Sequence, residues 1–181
     1  MTAIVPERLG EQHLSPCIRN EEAADADAIA RLTEAAFRDR PYSSRTEHFI
    51  VDALRRHGQL TVSLVAVDGE SIVGHVAVSP VSVSSGATGW FGLGPVSVVP
   101  ECQGRGVGSA LVQAALAELR RLGGLGCVLL GDPAYYRRFG FRPETGLVLP
   151  GVAPEYFQAL SLGGQVPVGT VGFHDAFNAT E

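Results

Sequence analysis

One segment constrains this chain more than any other: Val96-Ser97-Val98-Val99-Pro100-Glu101-Cys102-Gln103-Gly104-Arg105-Gly106-Val107-Gly108-Ser109. A strand runs into a glycine-rich turn, and the turn opens a helix. The first amides of a helix have no internal partner and carry the positive end of its dipole. Gly104, Gly106 and Gly108 remove side chains that would keep an anion from those amides. The segment fits a cradle for phosphate or pyrophosphate, the alternative being a glycine-rich helix start that holds nothing. Spacing excludes two nucleotide loops. A dinucleotide fingerprint starting at Gly104 needs glycine where Ser109 stands. A Walker loop needs a lysine, and the chain has none.

The surrounding pattern places this segment in an α/β chain. Ser15–Arg19 reads as a short first strand. Helices fit Asp25–Phe37, with Asp25 and Asp27 offering caps, and Thr46–His57, with Ile50, Ala53 and Leu54 inward and Gly58 ending it. Leu60, Val62, Leu64 and Ala66 then alternate with other residues up to the turn Asp68-Gly69, and Ile72–Ser79 runs back as a hairpin, with Val81–Ser84 as its extension past Pro80. Trp90–Val99 is the next strand. Proline cannot donate to a ladder, so this strand is expected to bulge or lose pairing near Pro95. Gly106–Leu122 is a helix whose apolar stripe is Leu111, Ala115, Leu119 and Leu122. Cys127–Leu130 is a buried strand, Pro133–Arg138 a short helix, and the tail carries strands near Gly146–Leu149 and Pro167–Phe173. The hairpin needs antiparallel neighbours and the crossover after Val98 favours a parallel pair, so the central sheet is mixed and flanked by helices. One domain over 15–181 is expected, with 1–14 as a leader and 144–181 as C-terminal strands and extension.

Composition removes several functions. Of 181 residues, 45% are hydrophobic and 18% charged, which is not the balance of a disordered chain. All 14 basic residues are arginine, which excludes Schiff-base lysine chemistry. A net charge of −5 leaves no footprint for nucleic acid. Cys17, Cys102 and Cys127 are scattered, without the spacing of a zinc site or a disulfide framework. No run approaches the roughly 20 apolar residues of a membrane span. A cytoplasmic protein with no metal and no membrane partner is expected.

A second block decides between the readings of the turn. Gln103-x-x-Gly106-x-Gly108 after Val98-Val99-Pro100 resembles the acetyl-CoA signature of the GNAT acyltransferase superfamily. Tyr136-Arg137-Arg138-Phe139-Gly140-Phe141 matches the Tyr-x-x-x-Gly-Phe that follows the next strand in that family. The resemblance covers roughly Ser15–Arg142, and Gly131-Asp132-Pro133-Ala134-Tyr135-Tyr136 together with the C-terminal extension looks like a bacterial subgroup of small N-acetyltransferases. It implies a GNAT fold with a bulged strand at the cofactor cleft and acetyl-CoA as cosubstrate.

The resemblance also implies roles. Val96, Ser97 and Val98 offer backbone groups to the pantetheine arm, and the Val98 amide polarises the thioester carbonyl. Gln103, Gly104, Arg105, Gly106, Val107, Gly108 and Ser109 form the pyrophosphate turn. Tyr136 lies near the sulfur and protonates the leaving thiolate; Tyr135 packs. Two features depart from the family. Residues 81–100 hold no Asp, Glu or His, so the carboxylate base that family members often carry on the bulged strand is missing. Gly131-Asp132-Pro133 stands where many members place an Asn, and there Asp132 caps the short helix or faces the substrate amine. His75 is a candidate base or a structural histidine. Arg45, Glu47 and His48 line an acceptor pocket or a solvated helix face. Cys102 is read as packing. The implied activity is direct transfer of acetyl from acetyl-CoA to a primary amine, small molecule or peptide, within a ternary complex. The alternative is a CoA-binding sensor or interaction module with little turnover. The apolar tail completes the sheet or forms a homodimer surface.

Overall fold

The structure is a computed structural model that describes residues 15–41 and 43–181; the leader expected over 1–14 lies outside the described residues. The hairpin forms as its alternation demands. β2 (Val62–Asp68) and β3 (Ser71–Val83) pair antiparallel around Gly69, whose φ of 61° only glycine adopts cheaply. β1 (Cys17–Asn20) adds antiparallel to the outer edge of β2, and β4 (Trp90–Val98) to the other side of β3. β3 continues past Pro80, and its end at Val81–Val83 pairs with β8 (Gly169–Phe173), which also joins the short β6 (Leu147–Val148).

The expected irregularity at Pro95 is present. Val76 pairs with Val96 and Val78 with Leu93, so Gly94 and Pro95 together oppose Ala77. β5 (Gly126–Leu130) pairs parallel with β4 only over Trp90–Gly92, and its far side pairs antiparallel with β7 (Phe157–Ser161). β7 has no counterpart in the sequence reading. The sheet order is β1-β2-β3-β4-β5-β7, with mixed directions as expected.

Both faces of the sheet are covered, which is why β2 is apolar at nearly every position. On one face α3 (Val107–Arg121) buries Leu111, Val112, Ala115 and Leu119 against Leu64, Ala66, Val76, Val78 and Leu129. Each fully buried leucine contributes roughly 1.5–3 kcal/mol. Leu122 does not join this stripe. It follows the last helical turn, 46% exposed, where Gly123 at φ 76° ends the helix. On the other face α1 (Ala26–Phe37) and α2 (Glu47–Arg56) bury Ile29 and Val51 over Val65 and Ala77, while Leu54 packs with Ile50, Ala53 and Ala176. Asp25 does not cap α1 with its side chain. It accepts instead from Arg19 Nη1 at 2.6 Å and from the Glu22 amide at 2.7 Å.

A polar cluster ties the α1/α2 face together. Glu21 accepts from Arg55 Nε at 2.8 Å and Nη2 at 3.1 Å, and from Ser63 Oγ at 2.6 Å. Ser63 Oγ lies 2.8 Å from His75 Nε2. Because the serine proton goes to Glu21, the histidine must donate from Nε2. Burial keeps the His75 pKa below its ordinary 6.5, against the opposing pull of Glu21. Burial alone would raise the Glu21 carboxyl, but the nearby His75 ring nitrogen, 3.6 Å away, and hydrogen bonds from Arg55 and Ser63 hold it far below the usual carboxylate range.

Glu21→Gln is expected to cost about 1.5–3 kcal/mol in urea unfolding at neutral pH, because it weakens charge-assisted bonds to Arg55. A depressed carboxyl stabilises the fold above its unfolded pKa and loses that contribution as pH falls. The difference between wild type and variant is therefore full at pH 7 and shrinks below pH 4.5. A constant difference across that range would contradict the assignment.

Candidate active site

The break at Gly94-Pro95 leaves one edge of β4 without a strand. The Val99 amide donates to Val73 O at 3.0 Å, which fixes the direction of every peptide group in the last turn of the ladder. By alternation the Ser97 peptide groups face β3, and those of Val96 and Val98 face away from it. β5 pairs with β4 no further than Gly92, so among the described residues no strand meets Val96 and Val98 on that side. Ser97 is held from both directions: it pairs with His75 across the ladder, and its buried hydroxyl donates to Thr33 Oγ1 of α1 at 3.1 Å. Its part at this edge is to fix the strand.

The glycine turn follows directly. Gly104 and Gly106 have φ of 76° and 89°, a region that side-chain-bearing residues avoid. Gly106 is the N-cap of α3, Val107 is its first residue with its side chain in the core, and Gly108 and Ser109 complete the first turn. Arg105 projects from the same turn, half-buried. Gly74 sets how closely the helix approaches the sheet. A β carbon there would stand 2.8 Å from Leu111 Cδ1 and 3.0 Å from Val107 Cγ1. Since Gly74 pairs with Val98, the same close approach brings the start of α3 beside the open edge.

Gln103 ties the turn to the strand. Its Nε2 donates to Val98 O at 2.9 Å, and its Oε1 accepts from Arg40 Nη2 at 2.6 Å. Arg40 lies in the loop between α1 and α2. Nothing in the 38–44 segment singled it out in the sequence. Cys102 is buried in the α3 core, as a packing residue would be.

The opposite wall comes from α4 (Pro133–Tyr136), started by Asp132, whose Oδ1 accepts from the Ala134 amide at 2.9 Å. Asp132 is thus a helix cap. Tyr136 packs over Gly131, where any β carbon would collide with the ring, and edge-on to Phe141 at 6.1 Å. The Tyr136 hydroxyl makes no hydrogen bond to another described residue. Burial, with smaller effects from Tyr135 and Cys127, pushes its pKa above the ordinary value near 10. It therefore stays protonated through the neutral range. Gln158 of β7 holds the wall in place by donating from Nε2 to Gly131 O at 3.0 Å. That support was invisible without β7.

The sequence model of the acetyltransferase (GNAT) domain matches residues 17–143. The chain belongs to the GNAT acetyltransferase family. Its relatives include the uncharacterized N-acetyltransferase YhbS of Escherichia coli strain K12, 40% identical over 125 residues, 68% of this chain and 72% of the relative. Among solved structures, a GNAT family acetyltransferase from Brucella melitensis in complex with acetyl-CoA is 48% identical, with a TM-score of 0.80 over 92% of this chain and 99% of that one. The E. coli YhbS structure in complex with CoA is 34% identical, with a TM-score of 0.82 over 92% and 93% of the two chains.

Other positions of this acetyltransferase fall away from the cleft chemistry. His75 belongs to the Glu21–Ser63 cluster and is fully buried on the α1/α2 face, which makes it structural. Arg45 lies before α2 rather than on it, in a left-handed conformation of φ 64°. Glu47 accepts from Ser43 Oγ at 2.9 Å, and the His48 ring lies 3.9 Å from that of Phe49. Among the described residues there is no cluster of three or more side chains suited to a metal, and no helix is long and apolar enough to cross a membrane.

Gly131→Ala is expected to displace the Tyr136 ring and destabilise the fold by about 1–3 kcal/mol, the usual cost of overpacking. Denaturant unfolding combined with the near-ultraviolet dichroism of the tyrosines measures both effects. An unchanged spectrum and midpoint would show that the ring does not rest on Gly131.

Proposed function

We propose that this chain, as a single domain over 15–181, transfers an acetyl group from acetyl-CoA to a primary amine in a ternary complex. The observation that carries the reading is the edge at Val96 and Val98 that no described strand pairs, meeting the amino end of α3 beside α4, the helix that carries Tyr136. Its support is the family membership and the acetyl-CoA and CoA complexes of similar chains. The pantetheine arm lies along β4 as a strand would, bonded to the outward peptide groups of Val96, with the Val98 amide beyond them and the Val98 carbonyl kept by Gln103. The turn from Gln103 to Ser109 holds the pyrophosphate with main-chain amides.

The chemistry follows from the groups nearest the sulfur. The neutral amine attacks the thioester carbonyl, and the Val98 amide donates to the oxygen as it becomes an oxyanion. The carbon–nitrogen bond forms, the carbon–sulfur bond breaks, and the electron pair leaves on sulfur. Tyr136 gives its proton to that thiolate and recovers one from the proton released by the amine, through solvent. β4 carries no acid or imidazole, and His75 is buried elsewhere. The amine must therefore arrive already deprotonated. Three free thiols, with Cys17 exposed, suit a reducing compartment, and a cytoplasmic setting is part of this reading.

Tyr136→Phe is expected to lower kcat at least about 100-fold, with the Kd for CoA nearly unchanged by calorimetry. A full rate in this variant would remove Tyr136 from the acid role. Tight CoA binding by wild type with no transfer to any amine in a broad panel would favour a sensor. In pH–rate profiles, kcat/KM should rise with the deprotonation of the amine. No descending limb should appear below pH about 10, because the Tyr136 pKa lies above that value. A fall-off between pH 8 and 9 that vanishes in Tyr136→Phe would overturn the assignment.

A further inference from the structure

Tyr135 packs against Tyr136 and Phe139, as expected, and its hydroxyl reaches beyond them. Its hydroxyl crosses from α4 to the first turn of α3, where a β carbon on Gly108 would stand 3.1 Å from Tyr135 Oη and 3.6 Å from Val98 Cγ2. The hydroxyl thus lies against the first turn of α3, where that turn also approaches Val98. Among the described residues its hydrogen-bond partner is Ser109 Oγ at 3.4 Å, longer than the 2.5–3.0 Å of a good O–H···O bond. The ring is fixed on three sides. Tyr136 meets it edge-on with centroids 4.9 Å apart, Phe139 lies at 5.6 Å, and the Arg138 guanidinium sits 4.7 Å above its face. Arg138 Nε also donates to Tyr135 O at 3.0 Å. A phenol held this firmly, with its oxygen beside a helix amino terminus and no acceptor among the described residues closer than Ser109 Oγ, is organised for an acceptor from outside. The positive end of the α3 dipole makes that acceptor an anion.

We propose that the Tyr135 hydroxyl is a further binding group for the donor, donating a hydrogen bond to a phosphate oxygen of its pyrophosphate. The inference rests on the acetyl-CoA reading above. Such a bond is charge-assisted and made by a group with little freedom left to lose. Ser109 Oγ stands beside the tyrosine oxygen and can donate to it in turn, which strengthens the bond passed on to the phosphate.

The test is a comparison of Tyr135→Phe with wild type on three donors. Acetyl-CoA and acetyl-dephospho-CoA both carry the pyrophosphate; S-acetylpantetheine carries none. With the first two, the variant should lose about tenfold or more in kcat/KM, through KM, with kcat within twofold. With S-acetylpantetheine the two proteins should be equal. Calorimetry with CoA should show the same loss of affinity. Equal affinity of both proteins for CoA would overturn the proposal, as would an equal loss on all three donors, which would assign the hydroxyl to the pantetheine arm or the fold. Wild type that binds no CoA would instead defeat the acetyl-CoA reading itself.

Discussion

The site depends on one interruption: β4 stops pairing with β5 at the Gly94-Pro95 bulge. Proline has no N–H to offer, and the extra residue turns the strand out of register with its neighbour. Up to Gly92 the two strands are an ordinary parallel pair. Beyond it they part, and the outward peptide groups of Val96 and the Val98 amide face a gap, the Val98 carbonyl being held by Gln103. Peptide groups inside a fold seldom remain without partners, so a gap of this kind favours an extended ligand that completes the ladder. The glycine turn at the end of the same strand then supplies amides where such a ligand would carry phosphate.

The rest of the scaffold keeps that gap in place from both sides. On one face the missing side chain of Gly74 lets Leu111 and Val107 press close to β3, which fixes the start of α3 against the strand end. On the other, Ser97 is tied to Thr33 of α1, and its ladder partner His75 is tied through Ser63 to Glu21 and Arg55. Breaking one member of such a cluster leaves buried polar groups unmatched, which makes the arrangement stiff. The polar residues of this face therefore hold β4 in position instead of supplying a proton acceptor.

Much of this was legible in the sequence where geometry restricts residue choice. Gly104 and Gly106 adopt backbone angles that other residues avoid, Pro95 cannot join a ladder, and the hairpin alternates about Asp68-Gly69. The Tyr136 block was legible through its resemblance to a family. What escaped were features set by distant parts of the chain. Phe157–Ser161 is short and contains Gln158, so its pattern does not announce a strand; it becomes one because β5 presents an edge. Leu122 fits the periodicity of its helix yet falls past the final turn. The ties from Arg40 to Gln103 and from Ser63 to Glu21 join residues far apart in sequence, and no local spacing encodes them.

The chain is also peculiar in the chemistry of its cations. Arg55 clamps Glu21, Arg40 reaches Gln103, and Arg138 covers Tyr135; each of these contacts is a guanidinium, and no lysine exists anywhere in the sequence. A guanidinium stays protonated at any physiological pH and is a poor nucleophile toward a thioester. A member of an amine-acetylating family built this way offers no side-chain amine of its own. However much activated acyl donor surrounds it, its side chains present no lysine for self-modification, and its charge balance stays as the sequence wrote it.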